Sequence, residues 1–75
     1  MKYENYIEIN PKVMVGKPVI KGTRIPVGVI LNLLANGYTF EKIIKAYTPL
    51  TKKQIEAALA FAAEKLNREE NYNFA

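Results

Sequence analysis

Thr39-Phe-Glu-Lys-Ile-Ile-Lys-Ala-Tyr-Thr-Pro-Leu-Thr-Lys-Lys-Gln54 decides how this chain folds. Thr39 is placed to cap a short helix from Phe40 to Ala46 or Tyr47, with Phe40, Ile43, Ile44 and Tyr47 on its buried face. Pro49 ends that helix. Thr51 opens another, and Thr51 and Gln54 have the spacing of a capping box, in which each side chain accepts the other's backbone N–H. Two helices parted only by Thr48 to Thr51 suggest helix-turn-helix geometry.

Working upstream, Val27, Ile30, Leu31 and Leu34 fall on one helical face, with Pro26 near the favoured first position. Gly37 stops this helix after Asn36, where a left-handed residue is expected. Before it, Ile7-Glu8-Ile9 alternates as a half-buried strand does and is ended by Asn10-Pro11. Val13-Met14-Val15 and Pro18-Val19-Ile20 flank Gly16-Lys17, a pair suited to a two-residue hairpin loop. Pro18 cannot donate to a ladder, so such a hairpin is loose or lies at an edge.

Working downstream, the helix opened by Thr51 is expected to reach about Leu66, burying Ile55, Ala58, Leu59, Ala62 and Leu66. Its middle, Ala57 to Ala63, is apolar almost all round, so it is buried on more than one side or filled with alanine for helix propensity. The first alternative makes Ala57, Ala60 and Phe61 an interface with a dimer mate or a partner, joined by Tyr72 and Phe74. One domain over 1–66 and a polar, flexible tail over 67–75 are expected.

Composition narrows the chemistry. A chain of 75 residues buries only roughly 60% of its unfolded surface and gains from a partner. It has no histidine, cysteine or aspartate, so the usual general base, zinc ligands and thiol nucleophile are missing. No paired carboxylates stand at a catalytic spacing. A non-enzyme without metal or cofactor is expected. No apolar run is long enough to span a bilayer, and the first residues lack a hydrophobic signal region, so a cytoplasmic protein off the membrane is expected.

The net charge is +4 and unevenly placed. Lys12, Lys17, Lys21, Arg24, Lys42, Lys45, Lys52 and Lys53 face only Glu41 between residues 9 and 55. That asymmetry points to an acidic or polyanionic partner. Gly16 to Val27 is the densest part, with Lys17, Lys21, Thr23 and Arg24 on backbone restricted by Pro18 and Pro26. The order of a nucleotide phosphate loop is absent, so nucleotide binding is rejected. Arg24 has two open readings: an internal ion pair, for instance with Glu41, or a fork for phosphate or carboxylate. Thr51, Lys52, Lys53 and Gln54 likewise either cap and solvate a helix or meet duplex DNA.

Ile9 to Val27, then Leu33 to Tyr38, Ile43-Ile44, Tyr47 to Thr51 and Gln54 to Phe61, closely resemble the domain-of-unknown-function 433 family. The likeness covers about residues 7 to 64, and Gly16-Lys-Pro-Val-Ile-Lys-Gly-Thr-Arg24 is its most specific run. Met14-Val15 departs from it, since a small residue or glycine is common there in relatives. The resemblance implies a mainly α, homeodomain-like bundle of three helices with a short N-terminal strand or hairpin. It also implies an antitoxin that neutralises a PIN-like nuclease toxin and represses its own promoter. A stand-alone DNA-binding homodimer is the alternative, and a helical dimerisation module is a third.

Overall fold

Alternation in Ile7-Glu8-Ile9 gives the first element of a computed structural model that describes residues 2–69. This strand, β1 (Ile7–Ile9), pairs antiparallel with β2 (Pro18–Ile20), in the register Ile7–Ile20, Glu8–Val19 and Ile9–Pro18. The sheet therefore closes within one chain. Pro18 takes the first position of its strand, where a missing N–H is tolerated.

Val13 to Val15 is not a strand, contrary to expectation. Asn10 starts a turn: its Oδ1 accepts the Lys12 N–H at 2.9 Å and its carbonyl the Val13 N–H at 2.8 Å. Met14, Val15 and Gly16 then follow at φ 51°, 56° and 78°, three successive residues in the left-handed region. The Gly16 and Lys17 N–H groups close the turn on the Val13 and Met14 carbonyls, each at 3.1 Å. That backbone costs a non-glycine residue about 1–2 kcal/mol, and Val15, 92% exposed, has little burial to offset it. Val15→Gly is expected to raise stability by about 0.5–1 kcal/mol, read as a later denaturant midpoint at unchanged slope. An earlier midpoint would show that this turn is not strained by its valine.

Three helices follow: α1 (Val27–Ala35), α2 (Phe40–Ala46) and α3 (Lys52–Glu69). Each boundary has a local cause. At the end of α1, Gly37 at φ 90° lets its own N–H reach the Leu34 carbonyl while the Tyr38 N–H reaches that of Leu33, both at 3.0 Å. These are the paired bonds of a Schellman end. Thr39 Oγ1 accepts the Lys42 N–H at 3.1 Å and starts α2. The capping box forms at α3: the Thr51 N–H donates to Gln54 Oε1 at 2.8 Å, and the Gln54 N–H to Thr51 Oγ1 at 3.2 Å.

The result is a mainly α fold of three helices and one hairpin. Ile20, Ile30, Ile43 and Ile55 are fully buried, one each from β2, α1, α2 and α3. Each contributes about 1.5–3 kcal/mol by leaving water. Ala57 and Ala58 are fully buried too, presenting only methyl groups where other elements pack on α3.

One face of the apolar centre of α3, formed by Ala57, Ala58 and Phe61, is thus covered from inside the chain. Phe61, 8% exposed, meets the Tyr3 ring edge to face, with centroids 5.2 Å apart. Ala57 and Phe61, expected at an interface, are core residues, because the N-terminal segment supplies the missing cover. Ala60 is half-buried. Leu59 and Leu66, expected inside, are exposed. The helix also runs past Leu66 to Glu69, so the boundary expected at 66/67 falls within it; Asn67-Arg-Glu69 contains no Gly or Pro to stop a helix. Tyr72 and Phe74 lie outside the described residues.

Candidate partner-binding surface

The loop after β2 is fixed by its own hydrogen bonds. The Thr23 N–H and hydroxyl both donate to the Ile20 carbonyl, at 2.9 and 2.7 Å. The Ile25 N–H returns to Thr23 Oγ1 at 3.0 Å, and the Ile20 N–H to the Ile25 carbonyl at 3.0 Å. Gly22 stands at φ 82°, as the third residue of a type II turn must. A Cβ there would meet nothing within 4 Å, so the need for glycine is conformational. Thr23, expected to face a partner, holds the loop together instead.

Arg24 is what the loop displays. It is exposed, and its guanidinium makes no hydrogen bond or ion pair with any described residue. The internal pair with Glu41 is not formed. Lys21 stands across the turn, its N–H on the Tyr6 carbonyl at 2.8 Å and its ammonium on the Glu4 carbonyl at 3.3 Å. The two cations share one end of β2.

Lys17 does not join them. It leaves the left-handed turn at the other end of β2, and the three residues of that strand, four steps along the chain, separate it from Lys21 by roughly 13 Å. What looks like one basic cluster in the sequence is two, because a strand stands between its members.

Further lysines stand on α2 and at the start of α3. Lys42, Lys45, Lys52 and Lys53 are all exposed. Lys42 also lies 4.6 Å from the centroid of the Tyr38 ring, a cation–π contact. Thr51 and Gln54, expected to touch DNA, are engaged in the capping box. Gln54 points back along its own helix, so reading a base edge would break the cap. Lys42 and Lys45 were missed as site residues, although the charge imbalance over 41–55 already contained them.

Among the described residues, no group of three or more His, Cys, Asp or Glu side chains could hold a metal ion. Nor is any described helix long and apolar enough to cross a membrane.

Comparison with known proteins agrees with this architecture. The family described as "Protein of unknown function (DUF433)" matches residues 7–62, from β1 into the second half of α3. The crystal structure of a DUF433 member protein from Anabaena variabilis ATCC 29413, at 2.00 Å resolution, is similar with a TM-score of 0.75 and 30% identity. That similarity covers 88% of this chain and 68% of the other. No curated protein matches. The shared span takes in the hairpin, the fixed loop and the caps of all three helices, and this chain belongs to the DUF433 family.

Proposed function

We propose that this protein is a non-enzymatic antitoxin that neutralises a PIN-like nuclease by presenting Lys21 and Arg24 to its acidic, metal-binding centre. The observation that supports this is the state of Arg24: exposed, uncommitted among the described residues, and mounted on a loop whose shape is already fixed. A guanidinium matches a pair of carboxylates in fork geometry, and a preorganised loop loses little entropy when it docks. Occupying the carboxylates would exclude the metal on which such a nuclease depends.

Co-expression with the product of the neighbouring gene, followed by size-exclusion chromatography with light scattering and an RNA-cleavage assay, tests this. A stable complex with cleavage silenced is the expected result. Free nuclease, or an active one within the complex, defeats the proposal.

A second reading is supported by a separate observation, the exposed lysines of α2 and α3. In this reading α2 and α3 act as a helix-turn-helix on duplex DNA, which would let the antitoxin repress its own promoter. The lysines meet phosphates, so binding should weaken steeply with salt, and Lys52→Ala and Lys53→Ala should each lower the salt slope by about one. Binding that ignores salt, or none at all, removes this reading.

A further inference from the structure

Asparagine followed by glycine is a chemically fragile pair in a polypeptide, and one such pair closes α1. Of the seven asparagines in the chain, only Asn36 precedes a glycine, Gly37. Both are exposed, so water and hydroxide reach them. The reaction is internal: the Gly37 backbone nitrogen, having lost its proton, attacks the side-chain carbonyl carbon of Asn36, and ammonia leaves. Water then opens the five-membered imide at one carbonyl to give aspartate, or at the other to give isoaspartate. Glycine favours the first step because no Cβ hinders the approach of its nitrogen.

The folded end of α1 opposes each part of that step. Closing the imide ring requires the Gly37 nitrogen to eclipse the Asn36 Cβ. At ψ 14° it nearly eclipses the residue's own backbone nitrogen instead, about 120° away around the Cα–C bond. The Gly37 N–H is committed to the Leu34 carbonyl at 3.0 Å, so the proton that must leave is held. The side-chain amide donates through Nδ2 to the Asn32 carbonyl at 2.7 Å, which draws it back over the last turn of α1 and away from Gly37. We infer that Asn36 is a deamidation site gated by folding, held unreactive by the Schellman end of α1 and converted when that end opens.

Conversion is not neutral for refolding. An ionised aspartate at position 36 only accepts hydrogen bonds, so the bond to the Asn32 carbonyl is lost. Its charge stands at the negative end of the α1 dipole and is the only charge between Arg24 and Glu41. Isoaspartate adds a methylene to the main chain, which displaces the Gly37 and Tyr38 N–H groups from the Leu34 and Leu33 carbonyls. α1 supplies the fully buried Ile30, so either product weakens the core that had protected Asn36. A chain that has opened is marked irreversibly. The inference does not depend on the nuclease reading, since neither Lys21 nor Arg24 takes part.

Intact mass spectrometry of the chain kept in mildly alkaline buffer, with and without unfolding guanidinium chloride, reads the reaction as a gain of about 1 Da per event. Deamidation should be at least about tenfold faster in the denaturant, because the native rate is limited by the fraction of time that α1 is open. Peptide mapping should place the change at Asn36, with the aspartate and isoaspartate forms resolved by chromatography, and Asn36→Ser should remove it. Asn36→Asp should fold, as far-UV circular dichroism reports, but unfold at an earlier denaturant midpoint than the wild-type chain. Equal rates in the two buffers, no gain in the denaturant, or a gain undiminished in Asn36→Ser would each overturn the gated site. An unchanged midpoint for Asn36→Asp would overturn the destabilisation by the aspartate product.

Discussion

Phe61→Ala is expected to remove about 3–5 kcal/mol of stability, comparable with the whole stability of a domain this short. The ring is 8% exposed, stands edge to face on Tyr3 at 5.2 Å, and has the Lys65 ammonium 5.6 Å from its centroid. Truncation would leave a void beneath the N-terminal segment and strip Tyr3 of its main aromatic contact. Far-UV circular dichroism should show most of the helix lost at 25 °C, with Phe61→Leu retaining nearly all of it. The result separates two meanings of an apolar helix centre. A residue buried between subunits could be replaced with the monomer intact, so a folded Phe61→Ala chain that merely fails to associate would contradict the packing described above.

Lys21→Glu with Arg24→Glu should abolish nuclease silencing without disturbing the fold. Truncating one partner of a buried, hydrogen-bonded charge pair costs about 2–5 kcal/mol of binding, and reversing its sign adds repulsion. The fold should survive because the loop is held by Gly22 and by Thr23, neither of which is altered. Thermal melting of Arg24→Ala checks this directly. Lys17→Ala is the internal control, since its side chain leaves the far end of β2. A double variant that still silences the nuclease, or an Arg24→Ala chain that unfolds, removes Arg24 from the role proposed for it.

The helices were legible because their ends carry unambiguous chemistry. Gly37, Thr39, Thr51 and Gln54 each perform the local task that their type and spacing suggest. The hairpin was misread at one point. Val13-Met14-Val15 has the composition of a strand, and the left-handed backbone at Met14 and Val15 belongs to residue types that rarely adopt it. The cation cluster failed for a different reason: closeness in sequence becomes distance when the intervening residues are extended. Of Ala57 to Ala63 only Ala57, Ala58 and Phe61 are buried, and the pattern could say neither which face is covered nor whose atoms cover it.

The hairpin has one more consequence, for misassembly. The outer side of β2 is occupied, since Val19 bridges to Pro26 and Ile20 bonds to Ile25. β1 has no second strand beside it among the described residues, and an open strand edge is a template on which other chains can stack. Here that template is three residues long, has Glu8 at its centre, and is followed by Asn10-Pro11. Fibril-forming segments run to six or seven uncharged residues without proline. The same punctuation that makes this strand short also limits the stacking of other chains on the edge of β1.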